Sequence, residues 1–176
     1  MARRASLVQQ LRGEAENAVV LDLGNMADVG AKYEPVLAAA ALLHYQGVAP
    51  SQSDRKLASG LEQLISAKGI PLVPELPSAP TDAFTPLIVR LGNTRVALAT
   101  LSASAAQRPT AALLGPLRSL RDVSDITLLI GRVGLENARR LAAMPEVGPL
   151  IGVILEAEGI RWEPEPILVN GTAADG

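Results

Sequence analysis

The stretch Gly47-Val-Ala-Pro-Ser-Gln-Ser-Asp-Arg-Lys-Leu-Ala-Ser-Gly-Leu-Glu-Gln-Leu64 decides how the rest of the chain is read. A short apolar run, Gly47 to Pro50, gives way to a polar loop, Ser51 to Asp54, and then to a helix-like pattern over Asp54 to Lys68. A strand that ends in a loop and enters a helix is the repeating unit of an α/β domain. In open α/β sheets that crossover is also where ligands and catalytic groups collect. This loop has no histidine, no cysteine and no glycine-rich cradle.

Working outward, the same alternation recurs. Upstream, Ala2 to Glu14 reads as an amphipathic helix with Leu7, Val8 and Leu11 on one face. Ala18 to Leu23 is an apolar run of the buried-strand kind, ended by Gly24-Asn25. Glu34 to Gln46 has Pro35 in the first turn and Gly47 just past the end, as a helix prefers. Downstream, Ile70 to Val73 is a short strand and Pro77 to Pro86 a loop. Leu87 to Leu91 and Thr94 to Thr100 flank Gly92-Asn93, a two-residue hairpin signal. Gln107 to Asp122 is loop and helix, Ile126 to Ile130 a strand, Leu135 to Met144 a helix, and Leu150 to Ile154 a strand. The tail, Ile160 to Asn170, carries two prolines and reads as an edge strand or extended segment. The expectation is one α/β domain spanning residues 1–176, with a mixed β-sheet flanked by helices.

Composition narrows the function. With 176 residues, 48% hydrophobic, the chain is long enough for a real core, which Leu, Val, Ile and Ala must fill because only four residues are aromatic. A net charge of −2 and so few aromatics argue against a nucleic-acid partner. The absence of cysteine excludes disulfides, thiolate metal sites and thiol nucleophiles. No apolar run approaches the ~18–20 residues of a transmembrane helix, and the arginine-bearing start has no signal-peptide core. The chain therefore reads as soluble, with no transmembrane segment of its own.

Several residues admit two readings. Asp22, Asp28, Asp54, Glu156 and Glu158 would bind a hard cation if they gathered at strand ends; otherwise they are solvated or capping carboxylates, with Asp54 or Ser53 capping the helix that runs to Lys68. His44, the single histidine, is a general base or a packing residue in a helix body. Gly24 to Asp28 is a phosphate cradle or a plain turn between strand and helix. Ser51, Ser53, Ser102 and Ser104 lack a G-x-S-x-G context, which removes a serine hydrolase. Arg132, with Arg139 and Arg140, is an anion or partner site, or part of a solvated face.

Five phrases, in order, resemble the metallophosphoesterase superfamily, in particular its 5′-nucleotidase-like branch. Ala2-Arg-Arg-Ala-Ser-Leu-Val-Gln-Gln-Leu-Arg12 matches a helix of the type A-R-R-A-x-L-I-x-x-L-R, and Asp22-Leu-Gly-Asn25 stands where the branch has D-A-G-D. Tyr45 to Asp54 follows Y-D-A-V-A-P-G-N-H-E; Leu129 to Ala142 follows L-S-H-x-G and L-E-x-A-R-x-L-A; Val153 to Gly159 stands at the G-H-x-H strand. The resemblance implies a sandwich of mixed sheets and helices, here short at both ends, and two metal ions activating water for attack on phosphorus.

The ligands that chemistry needs are missing from the matching positions. The bridging aspartate of D-A-G-D falls on Asn25, the asparagine and histidine of G-N-H-E on Gln52 and Ser53, and the later histidine on Arg132, a permanent cation. The resemblance therefore implies a pseudoenzyme with no metal or other cofactor, acting as a non-catalytic accessory or scaffolding subunit. The alternative is a residual phosphate- or nucleotide-binding module around Asn25, Gln52 and Arg132. Asp54, Arg132 and Arg139 are the candidate ligand or partner contacts. Asp54 also fits a G-x-R-D-like variant found in relatives beside multihaem cytochromes, which points to protein partners in a redox or membrane-associated complex. The family habit would place such a chain outside the cytoplasm if a leader is missing, and in the cytoplasm otherwise.

Overall fold

The computed structural model describes residues 2–15, 17–26, 33–77, 84–107, 110–156 and 165–168. The chain divides into two compact units, Met1–Val73 and Pro74–Gly176, and each is described by itself. Both are α/β: among the described residues the first pairs its strands in parallel, and the second combines parallel with antiparallel pairs.

In the first unit, helix α1 (Ala2–Glu14) precedes strand β1 (Leu21–Asp22), helix α2 (Tyr33–Leu42), strand β2 (Gly47–Val48) and helices α3 (Gln52–Leu57) and α4 (Leu61–Ala67). β2 is central: it pairs in parallel with β1, and Val48 bridges in parallel to Leu72 on its other side. Leu37, Val48 and Ile65 are fully buried and Leu61 nearly so, forming a core that Tyr33, Tyr45 and Val8 close. Burying each such aliphatic side chain contributes roughly 1.5–3 kcal/mol. α1 packs less than its pattern implies. Val8 is buried, but Leu7 and Leu11 remain 53% and 50% exposed.

The single helix expected over Asp54 to Lys68 is two. It starts earlier, at Gln52, because Ser51 caps it, and it breaks at Ala58-Ser59-Gly60, where Gly60 adopts φ +82°. That left-handed conformation suits glycine and cannot propagate a right-handed helix.

In the second unit the strands are β3 (Leu87–Leu91), β4 (Thr94–Ser102), β5 (Ile126–Arg132), β6 (Val153–Glu156) and β7 (Glu165–Leu168), side by side in that order. The hairpin β3–β4 turns at Gly92-Asn93 as the dipeptide predicts, with positive φ at Gly92 (+57°) and not at Asn93, the II′ pattern. β4, β5 and β6 are parallel, joined through helices α5 (Ala103–Ala106), α6 (Thr110–Val123) and α7 (Leu135–Ala143). Leu113, Leu117 and Leu120 of α6 and Ala138 and Leu141 of α7 are buried in a core with Ala97, Leu101, Leu129 and Ile154 of the sheet.

β6 begins three residues later than expected, because Pro149 sits in a 3₁₀ turn (Gly148–Leu150) and strand pairing resumes only at Val153. β7 is the expected edge strand; Pro166 stands across from Leu155 at a sheet border where a missing N–H is tolerated. Among the described residues no helix is long and apolar enough to cross a membrane.

At the start of β5, Asp125 accepts two hydrogen bonds from the Arg95 guanidinium and one from its backbone N–H. These bonds hold its carboxyl well below the usual carboxylate range, at about 2 against 3.8. A depressed folded-state value means that the stabilisation is present above the ordinary value and is lost as pH falls through about 2. We expect an NMR titration to find the Asp125 carboxyl near the lower value, and Arg95→Ala to return it toward 3.8.

Candidate functional site

The loop between β2 and α3 opens with a capping box. Ser51 Oγ accepts the N–H of Asp54 at 3.0 Å, and Asp54 Oδ2 accepts the N–H of Ser51 at 2.8 Å. Each satisfies a donor that the start of a helix would leave bare. The cap is thus Ser51, rather than Ser53 or Asp54, and Asp54 occupies the third helical position. That position turns its side chain inward, where it is 1% exposed.

Asp54 does more than cap. Its Oδ2 also accepts the Ser51 hydroxyl at 2.7 Å and the backbone N–H of Asn25 at 2.7 Å. Its Oδ1 accepts the N–H of Met26 at 3.0 Å and the Tyr33 hydroxyl at 3.4 Å. Burial raises the Tyr33 phenol above its ordinary value, and the adjacent Asp54 charge and hydrogen bond raise it further. One carboxylate therefore ties the turn after β1, the start of α2 and the start of α3.

The turn it holds is a left-handed pair, Gly24 (φ +91°) and Asn25 (φ +54°), the latter being among the few side-chain-bearing residue types that enter this region readily. Such a turn lines up successive N–H groups as an anion nest. Here the nest is filled from within. Gly24 donates to Asp22 Oδ1 at 2.9 Å, while Asn25 and Met26 donate to Asp54. The two amides best placed to cradle a phosphate already face a carboxylate of the protein itself.

Gln52 and Ser53 lie on the first turn of α3 with exposed side chains, and the Asn25 side chain is exposed too. In the second unit Arg132 is the last residue of β5, half-buried and in register with Ser102. Arg139 is an exposed residue of α7 whose guanidinium lies 3.4 Å from Glu136 one turn earlier, an ordinary helix-surface pair. Arg140 donates to the Ala106 carbonyl at 3.2 Å. Glu156, 6% exposed, ends β6 and lies across Gly131, accepting the N–H of Val133 at 3.4 Å.

Of the five carboxylates considered for a cation, Asp22 and Asp54 lie in the first unit and Glu156 in the second. Asp28 and Glu158 fall outside the described residues. Among the described residues no three or more His, Cys, Asp or Glu side chains are grouped to hold a metal ion.

His44 is not in a helix body. It follows α2 with φ +50°; its N–H bonds to Ala41 and that of Tyr45 to Ala40, the double bond of a Schellman stop. Its carbonyl accepts Arg12 at 2.8 Å, and its exposed imidazole has no hydrogen-bond partner among the described residues. Glycine is the residue this position favours. His44→Gly is expected to stabilise the chain by about 0.5–1 kcal/mol by relieving the left-handed strain; a loss of stability in chemical denaturation would instead assign the imidazole a role.

Sequence reading did not anticipate the parts played by Tyr33 and Ser51. Ser51 had a signal, the S-x-x-D spacing of a capping box; Tyr33, distant along the chain, had none.

No family model and no curated protein matches the chain. Among solved structures it is similar to the sulfate thiohydrolase SoxB of Thermus thermophilus, solved in complex with glycerol, a 5′-nucleotidase-like enzyme of the metallophosphoesterase family. The TM-score is 0.64 at 15% identity, over 86% of this chain. The chain spans 32% of the length of that one. The likeness shows a metallophosphoesterase-like fold.

Proposed function

We propose that the chain is a non-catalytic domain of metallophosphoesterase-like fold that serves as an accessory or scaffolding subunit of a larger protein assembly. The observation that supports this most is the state of Asp54. It is the acidic group retained in the loop where the resembled family carries G-N-H-E, and both its oxygens accept protein donors, five in all. A metal ion there would have to displace backbone amides that have no other acceptor.

The other positions that fall where the resembled family carries ligands do not offer the chemistry of a pair of metal ions either. Asn25 and Gln52 offer neutral amides, Ser53 a hydroxyl and Arg132 a cation, so nothing in the set offsets the charge of two dications. A domain without such chemistry is kept for what it contacts, and its partners in this reading are other protein subunits.

The test is purification under mild conditions from the native source, followed by native mass and identification of co-migrating chains. A stoichiometric assembly, reproduced when the purified components are mixed, is the expected result. A monomer with no partner at native concentration would remove the accessory role.

A further inference from the structure

We propose that the outer edge of β3 is a docking strand for an extended, acidic segment of a partner protein. Among the described residues β3 is an end strand of its sheet, paired only with β4. Neighbouring bonds fix the phase of that ladder. Arg95 directs its N–H and its carbonyl to Asp125, on the β5 side of β4. Thr100 directs its own to Leu76 and Pro74, on the opposite side. By the alternation of an antiparallel pair, Leu87, Val89 and Leu91 turn their backbone groups toward β4. Ile88 and Arg90 turn theirs outward.

An edge with outward N–H and C=O groups is a template for another strand. The register runs unbroken from Leu87 to Leu91, with no proline and no bulge to blunt it. Ile88 is 36% exposed, and Arg90 on the same face is exposed as well. Arg90 stands directly across from Arg95, an unfavourable like-charge pair. Asp125 neutralises Arg95 at 3.0 Å, whereas the Arg90 guanidinium has no partner among the described residues.

The lone cation selects the occupant. A second copy of β3 would bring another unpaired arginine to the same edge. An added strand with a carboxylate across from Arg90 and an apolar side chain two residues away, across from Ile88, would neutralise the charge and complete the ladder. Backbone bonds would then give affinity and alternate side chains selectivity. This inference rests on the accessory-subunit reading, for which it supplies the contact surface.

The experiment is an NMR titration of the full chain with the extended peptide acetyl-Thr-Glu-Thr-Val-Thr-amide and with its lysine-for-glutamate counterpart. Saturable shifts at the Ile88 and Arg90 amides are expected at millimolar peptide, with the lysine peptide weaker by about fivefold. Arg90→Glu should reverse that order. Ile88→Pro removes an outward N–H, leaves the β3–β4 ladder intact, and should abolish both. Absence of saturable shifts, equal affinity for the two peptides, binding retained in Ile88→Pro, or self-association through the same amides overturns the proposal. If a native assembly survives Ile88→Pro, the docking edge fails while the accessory role stands; if wild-type chain forms no assembly, the accessory role fails.

Discussion

Asp54→Ala is expected to destabilise the chain by about 3–5 kcal/mol in chemical denaturation, an unusually large cost for a single surface-loop neighbour. The substitution removes no large apolar group, so the loss must come from donors left without an acceptor. Three are backbone amides, of Asn25, Met26 and Ser51, and a buried unsatisfied N–H costs about 1–3 kcal/mol. Asp54→Asn keeps the volume but offers one acceptor oxygen and an N–H₂ facing donors, so it should recover only part of the loss. Faster amide exchange at residues 24–26 would place the defect in the turn that the carboxylate holds. A cost below about 1 kcal/mol would mean these donors find water and the clamp is unimportant.

Gly134→Ala is expected to cost about 2–3 kcal/mol for a different reason. Gly134 joins β5 to α7 at φ +79°, ψ +146°, a conformation open in practice only to glycine. A Cβ there would meet nothing within 4 Å, so the penalty is backbone strain and owes nothing to crowding. Gly60 provides the control. Its φ +82°, ψ +12° lies in the left-handed helical region that asparagine enters, and a Cβ there meets only the end of Gln63 at 3.5 Å. Gly60→Asn should cost less than about 1 kcal/mol, whereas Gly134→Asn should be as harmful as alanine. Equal costs at the two sites would contradict the assignment of strain to Gly134.

The features readable from sequence were those with a local cause. Gly92-Asn93 between two apolar runs foretold the hairpin because the turn needs positive φ and glycine supplies it. The strands of the second unit were legible because Val, Ile and Leu cluster in short runs between turn residues. The break at Gly60 was missed because a helix period continues on both sides and one glycine is often tolerated inside it. β6 was placed three residues early since Leu150 and Ile151 are apolar, while only Pro149 and its 3₁₀ turn reveal that they are not yet paired.

The site was half legible. Resemblance drew attention to the loop around Asp54, and the reading of Asn25, Gln52, Ser53 and Arg132 as replaced metal ligands belongs to the proposal. What occupies the loop was not legible. That Asp54 would face the amides of Asn25 and Met26 depends on β1 and β2 lying side by side, a pairing between residues more than twenty apart. Leu7 and Leu11 of α1 show the reverse error. Their spacing marks an apolar face, but among the described residues of that helix only Val8 is buried in the core.

We propose that a protein carboxylate, rather than a metal centre, organises the loop at Asp54, and that the chain has no phosphoesterase chemistry. The most direct test is hydrolysis of a generic phosphodiester by the full chain with added manganese, run beside calorimetric titration of the same ion. No turnover above the metal-only blank and no stoichiometric heat are expected. Saturable binding of two ions with hydrolysis abolished by Asp54→Ala would contradict the proposal.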